Sequence, residues 1–137
     1  MTAPDLFPRG DDASSPVFSG PVWLAQLLDP AQIAATDTQI YNVTFAPGCH
    51  NNWHRHAEGQ VLLATRGVGY HQIRGQAIDV MRPGDVIVCP PDTDHWHGAS
   101  PDSEFTHVGI SPRASTNQPT WLEPVTDVEY HGPRKDN

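Results

Sequence analysis

Residues 48–67 read GCHNNWHRHAEGQVLLATRG, which joins a His-x-His pair to an apolar run typical of a strand. Residues two apart on a strand face the same side, so His54 and His56 would aim two imidazoles at one point. Gln60 can return toward that point where the chain enters the next strand, and His95 of DTDHWHG can add a third nitrogen. Three imidazoles and one oxygen would form a transition-metal site with positions left for substrate. A chance pair of histidines on a surface strand is the alternative.

The rest of the chain has the regularly spaced turn residues that are typical of an all-β protein. Its 137 residues, 14 of them proline, carry short apolar runs every 8–12 residues, separated by Gly, Pro and Asp. A chain of this length fits one domain. A helical turn is predicted between residues 27 and 35, capped at Asp29 and opened by Pro30. The predicted limits are a flexible polar arm at 1–16, a single domain at 17–130 and a flexible polar tail at 131–137.

Charge and composition narrow the function classes. Sixteen acidic against eight basic residues give a formal charge of −8, which repels phosphate, so neither nucleic acid nor a membrane is expected as a partner. The single lysine, Lys135, stands near the C-terminus and disfavours Schiff-base chemistry. The N-terminal residues lack the apolar run of a signal peptide. Cys49 and Cys89 form no disulfide framework and are expected to be small buried hydrophobes, which indicates a reducing, cytoplasmic setting.

The first histidine stretch resembles a known motif. Its pattern, Gly48-x5-His54-x-His56-x3-Gln60-x6-Gly67, is similar to the first motif of the cupin superfamily, with Gln in place of the usual Glu.

A second pattern follows at about the minimum separation found in that superfamily. Gly84-x5-Pro90-x4-His95 resembles the second cupin motif, and sixteen residues separate Gly67 from Gly84. Asp92 and Ala99 depart from the motif at turn or peripheral positions. Longer strings such as FAPGCHNNWHRH and RPGDVIVCPPDTDHWHGA resemble small bacterial monocupins. Some of these are fused to carboxymuconolactone-decarboxylase-like domains, and others are manganese-dependent hydroxynitrile lyases.

The resemblance implies a fold and a metal site. The fold would be the cupin double-stranded β-helix, a jelly-roll barrel. A divalent transition metal would lie in its mouth, with manganese favoured and iron, zinc, nickel, cobalt or copper as alternatives. The implied ligands are His54, His56, Gln60 and His95. Glu58 is the rival oxygen ligand, although its spacing fits the motif less well.

Further residues are assigned to the pocket. On the predicted strand EFTHVGI, His107 would overlook the metal as an uncoordinated base, with a hydrogen-bonded core histidine as the alternative. His97 shares a strand face with His95 and is a second catalytic candidate, or a packing residue beside the ligands. The residues assigned to the pocket wall are Tyr41, Val43 and Phe105, with plain core residues as the alternative for the first two.

The other aromatic and histidine residues receive structural roles. Trp53 and Trp96 alternate with the ligand histidines, so they are expected to pack in the core or at a dimer interface. Three histidines, His50, His71 and His131, are expected to be exposed.

Three functions are consistent with these residues. The resemblance favours a lyase of hydroxynitrile lyase type, which splits a cyanohydrin into an aldehyde and cyanide. A metal-dependent dioxygenase or oxidase and a non-catalytic ligand-binding cupin are the alternatives. In each case the expected partner is a small-molecule substrate or ligand. The resemblance to the family also implies a homodimer or higher homo-oligomer. Metal is expected to be lost as the pH falls through ~6, where unperturbed imidazoles protonate.

Overall fold

The fold consists of two antiparallel sheets that face each other. The computed structural model describes residues 5–135; residues 1–4 of the predicted arm and 136–137 of the predicted tail lie outside this part. The strands are β1 (Asp11–Asp12), β2 (Val22–Gln26), β3 (Thr38–Phe45), β4 (His54–His56), β5 (Gln60–Gly67), β6 (Gly69–Ile73), β7 (Asp79–Met81), β8 (Val86–Cys89), β9 (His95–Ala99), β10 (Phe105–Pro112) and β11 (Pro119–Trp121).

The strand order explains how the two histidine stretches meet. The first sheet runs β1-β2-β3-β10-β5-β8, and the second runs β11-β4-β9-β6-β7. Because β4 and β9 are neighbours, His54 stands opposite His95 although 40 positions separate them in sequence. The arrangement confirms the prediction of a single all-β domain.

Alternation along β5 separates the inside of the barrel from the outside. Gln60, Leu62 and Ala64 are buried, whereas Val61 and Leu63 between them are partly exposed. This is the period-two pattern expected of a strand with one face on the core. Gln60 therefore enters the barrel on the same face as the apolar core residues.

Two short helices are present. The predicted helical turn is found as α1 (Pro30–Thr36), where Asp29 and Gln32 form a capping box. The second helix, α2 (Asp127–Tyr130), was not predicted and begins at a similar box capped by Thr126. No helix in the described part of the chain is long and apolar enough to cross a membrane.

Both described termini contact the barrel. Asp11–Asp12 pairs with β2, and the Arg9 guanidinium forms an ion pair with Glu104 at 2.5 Å. Near the other end, the Lys135 amide donates to the carbonyl oxygen of Ile78 at 2.8 Å. Through these contacts, the two segments that were predicted to be an arm and a tail are attached to the barrel.

Candidate metal and catalytic site

A cavity of about 150 Å³ opens between the two sheets. One side is apolar and the other carries histidine and amide groups. A cavity of similar volume engineered in another protein binds benzene, so this one has room for a ring of that size. The lining residues are Phe18, Leu24, Tyr41, Val43, Phe45, Asn51, His54, His56, Gln60, His97, His107, Pro119 and Trp121.

Three of the predicted ligand histidines meet beside this cavity. His54 and His56 leave the same face of β4, and both are buried. The centroids of the His54 and His95 rings lie 4.3 Å apart, and those of His56 and His95 lie 5.5 Å apart. His95 is fully buried behind the lining residues. The His-x-His spacing therefore delivers two imidazoles to one place, as the sequence predicts.

Backbone carbonyls fix the orientation of two of these rings. His54 Nδ1 lies 2.8 Å from the carbonyl oxygen of Asn52, and His95 Nδ1 lies 3.0 Å from that of Thr93. A carbonyl oxygen can only accept, so each Nδ1 carries the proton and each Nε2 keeps its lone pair. Bonds of this kind are the usual outer support of metal-binding histidines.

Buried atoms without partners mark the same place. The Nε2 atoms of His56 and His95 and the Oε1 atom of Gln60 have no hydrogen-bond partner within residues 5–135. Buried polar atoms normally find a partner, because leaving one unsatisfied costs its desolvation. These two imidazole nitrogens and one amide oxygen, together with the lone pair that the Nδ1 hydrogen bond leaves on His54 Nε2, are donor types that suit a first-row divalent cation.

The rival oxygen ligand is engaged elsewhere. The Glu58 carboxylate forms an ion pair with the Arg113 guanidinium on the surface. Gln60, by contrast, donates its Nε2 hydrogen to the Tyr41 hydroxyl at 3.0 Å, and its Oε1 stays free. Of the two candidates, Gln60 is the side chain with an oxygen available inside the barrel.

One group of three histidines with closely spaced ligand atoms differs from the predicted ligand set. The ligand atoms of His54, His95 and His97 lie within 4.8 Å of one another, so His97 enters this group and His56 does not. Asn51, however, holds His97 at two points. Its Oδ1 accepts from the His97 amide at 2.9 Å, and its Nδ2 lies 3.2 Å from His97 Nε2. An amide nitrogen only donates, so the His97 proton is on Nδ1 and its Nε2 lone pair is already used.

His107 lines the cavity without a partner of its own. Its ring is fully buried, and neither ring nitrogen has a hydrogen-bond partner among residues 5–135. The ring centroid lies 5.0 Å from that of His97, and the ring stacks on Phe45. Burial lowers the pKa of His107 to about 4, so the ring is neutral near pH 7.

The same desolvation acts on the ligand histidines. Burial lowers the pKa of His95 to about 3 and that of His54 well below its usual value, and neighbouring histidines push both in the same direction. The pKa of His56 is also lowered by burial. A neutral imidazole keeps the lone pair that a cation would need, so near neutral pH none of these rings would have to lose a proton before binding one.

The residues predicted for the pocket wall have different positions. Tyr41 and Val43 line the cavity. Phe105 does not; its ring packs in the core, where an added Cβ on Gly69 would meet it at 2.5 Å. It shares the inward face of β10 with His107 but lies deeper in the barrel.

The expectation that His71 is exposed is wrong. His71 is 1% exposed, its Nδ1 lies 2.9 Å from the Asp79 carboxylate, and its Nε2 lies 3.3 Å from the Cys89 sulfur. His131 is exposed as expected, whereas His50 is half-buried against Tyr130. Both free cysteines are buried, which confirms their interpretation as small core residues.

The two tryptophans next to the ligands belong to a second core. Trp53 and Trp96 are buried on the far side of the second sheet, where they pack with Tyr70, Ile78, Val125 and Tyr130. This agrees with the core alternative for both residues.

Sequence reasoning missed the mouth of the cavity. Phe18, Leu24 and Pro119 line it, and Trp121 lies 4.7 Å from the His54 ring, centroid to centroid. Trp121 comes from the short strand β11, which pairs with β4. The available signal for Trp121 was the string WLEPVTDVEY at residues 121–130, which lies outside every predicted strand and helix.

Comparison with known proteins agrees with this geometry. A cupin domain model matches residues 41–108. The (R)-mandelonitrile lyase of Granulicella tundricola is 41% identical over 107 residues, which cover 78% of each chain.

Solved structures give the same family. A cupin-like protein from Thermotoga maritima has a TM-score of 0.89 and 40% identity, covering 98% of this chain and all of the other. A cupin-2 domain protein from Rhodospirillum rubrum, at 18% identity and a TM-score of 0.72, covers 94% of this chain and 84% of its own, and shares the fold. By its sequence matches and its barrel, this chain belongs to the cupin family.

Proposed function

We propose that this cupin is a metal-dependent lyase that splits a cyanohydrin into a carbonyl compound and hydrogen cyanide, and that it also catalyses the reverse addition. The observation that carries the proposal is the group of unpartnered buried donor atoms beside a cavity that also holds a free neutral histidine, His107. The 41% identity to a mandelonitrile lyase supports the same reaction class.

The proposed ligands are His54, His56, Gln60 and His95. His56 is preferred to His97 because the Nε2 of His56 lacks a partner, whereas that of His97 already accepts from Asn51. All four ligands are neutral, so a divalent cation bound here would keep its full formal charge. Manganese is the proposed metal. Such a cation supplies Lewis acidity, which lowers the pKa of a substrate hydroxyl.

The chain's own residues would handle the proton and the leaving group. His107, neutral near pH 7, takes the proton of the cyanohydrin hydroxyl. The electrons of that O–H bond form the new carbonyl, and the C–C bond breaks with its electron pair on the cyanide carbon. The proton on His107 then passes to cyanide, which leaves as hydrogen cyanide. His107 returns to its neutral form, and no oxidant or reductant is consumed.

His97 and the apolar wall would orient the substrate. Because Asn51 fixes its proton on Nδ1, His97 has an unpartnered N–H that can donate to the nitrile nitrogen. Phe18, Leu24 and Trp121 offer an apolar surface for the rest of a small aldehyde. Burial in a cavity of low dielectric would strengthen such a hydrogen bond.

The test uses the full chain loaded with Mn²⁺ and racemic mandelonitrile. We expect benzaldehyde release, followed by its ultraviolet absorbance, well above that of the metal-free protein and of Mn²⁺ alone. His107→Gln should lower kcat by ~10²-fold or more, in the range typical of a lost general base. The exposed His131→Gln is the matched control and should keep full activity.

Two results would overturn the proposal. Equal benzaldehyde release with and without bound metal would exclude a metal-dependent lyase. Oxygen uptake with a diketone or catechol, without cyanohydrin cleavage, would instead assign the site to oxidative chemistry.

A further inference from the structure

A three-residue hydrogen-bond chain reaches the proposed metal site from the first sheet. Gln60 donates from Nε2 to the Tyr41 hydroxyl at 3.0 Å, and that hydroxyl lies 3.3 Å from Ser111 Oγ. Ser111 is buried, and Tyr41 lines the cavity. We infer that Tyr41 is a positioning residue that fixes which end of the Gln60 amide faces the metal. This inference rests on Gln60 being a ligand, as proposed above.

A glutamine ligand needs such an orienting contact, whereas a glutamate does not. The two ends of an amide have nearly the same shape, but only the oxygen has lone pairs for a cation. A half-turn of the amide would present hydrogens instead. A carboxylate has two equivalent oxygens, so its rotation changes nothing. Because Gln60 stands where the family usually has Glu, this chain has an orientation problem that the usual motif lacks.

The donors and acceptors of the Gln60–Tyr41–Ser111 hydrogen bonds all run in one direction. The Gln60 nitrogen can only donate, so the Tyr41 oxygen accepts from it and the Tyr41 hydrogen is free for Ser111 Oγ. With Gln60 Nε2 held in this way, its Oε1 is the atom left without a partner.

A glycine makes room for the tyrosine ring. Gly109 of β10 stands opposite Tyr41 in the sheet. A Cβ at Gly109 would lie 2.9 Å from Tyr41 Cε2 and 3.5 Å from Gln60 Nε2. Real Cβ atoms essentially never lie this close to another heavy atom, so any other residue at position 109 would displace the Tyr41 ring from the Gln60 amide.

The test is a double-variant cycle read out by calorimetric titration with Mn²⁺. Tyr41→Phe keeps the ring and removes the hydroxyl, and we expect Mn²⁺ to bind about 10-fold more weakly, as is typical when an outer support of a ligand is lost. In a Gln60→Glu background the same substitution should change Kd by less than about twofold, since a carboxylate needs no orientation. Thr44→Val is the matched control: it removes a buried hydroxyl from the opposite face of the same strand and should leave Kd unchanged.

Other outcomes separate the possible failures. An equal loss of Mn²⁺ affinity in both backgrounds, or none in the Gln60 protein, would overturn the orienting role of Tyr41. Unchanged affinity in Gln60→Ala would instead remove Gln60 from the ligand set, and with it the role inferred for Tyr41, while the three histidine ligands would remain. Circular dichroism melting of each variant shows that the compared proteins are folded.

Discussion

Acid should destabilise the metal-free protein because its buried histidines resist protonation. Burial lowers the pKa of His95 to about 3 and that of His107 to about 4, whereas an unfolded histidine titrates near ~6.5. Between these values the unfolded chain binds protons that the folded chain does not. The resulting stability is therefore fully present above pH ~6.5 and is lost as the pH falls toward the folded pKa values.

The loss is large compared with the stability of a domain this size. A pH of 5 is about 1.5 units below the unfolded pKa of each histidine. The free energy of unfolding therefore falls by about 2 kcal/mol for each of the two groups. Together they remove about 4 kcal/mol from a free energy of unfolding that is typically ~5–15 kcal/mol. The lowered pKa values of His54, His56 and His97 act in the same direction.

Urea unfolding in the presence of a chelator measures this loss at pH 7 and pH 5. His107→Gln should remove about half of the 4 kcal/mol pH dependence, because glutamine does not titrate. The same substitution at the exposed His131 should leave the dependence unchanged. A free energy of unfolding that is equal at the two pH values would show that these imidazoles are not held neutral by burial, and the reasoning would be wrong.

Three further outcomes follow from the same structure. Bound Mn²⁺, measured by elemental analysis after gel filtration, should persist from pH 7 to about 5.5, because the lowered imidazole pKa values shift proton competition below the pH of ~6 expected from unperturbed histidines. Asn51→Ala should free the His97 ring and lower kcat for mandelonitrile cleavage by about 10-fold, while the Mn²⁺ affinity stays within about twofold of its original value. Equal losses of kcat and of Mn²⁺ affinity would contradict the role of Asn51. Gly69→Ala should cost about 1–3 kcal/mol in urea unfolding, because its Cβ would meet the Phe105 ring at 2.5 Å, whereas Gly20→Ala, whose Cβ meets its nearest atom at 3.7 Å, should be close to neutral.

The all-β fold and the shared direction of His54 and His56 were predictable because they depend on local periodicity. His54 and His56 face one way on any regular strand, and turn residues at short intervals predict strands rather than helices. The helix capped by Asp29 was predictable for the same reason, since its signal lies within a few residues. Each of these features is encoded by neighbours in sequence.

The burial of His71 was not predictable because it depends on what covers the sheet. β6 is buried on both faces: Tyr70 points to the second core, and His71 points into the barrel. A strand covered on both sides loses the polar alternation that marks an exposed face. The covering residues, Val125 and Tyr130, come from a segment more than 50 positions away. The partners of His71, Asp79 and Cys89, are likewise set by strand pairing rather than by local sequence.

The choice of glutamine and the burial of the histidines are parts of one electrostatic solution. A carboxylate placed among buried groups would add the cost of a desolvated charge whenever the metal is absent. In the proposed site, the amide of Gln60 would avoid that cost but would need orientation, which we infer comes from its hydrogen bond to the Tyr41 hydroxyl. The desolvation that keeps the imidazoles neutral should also make the metal-free barrel sensitive to acid. A cation bound by four neutral ligands would keep its full charge and could polarise a substrate hydroxyl oxygen. The burial of neutral imidazoles, which lowers the stability of the metal-free protein in acid, would therefore also suit the site to this chemistry.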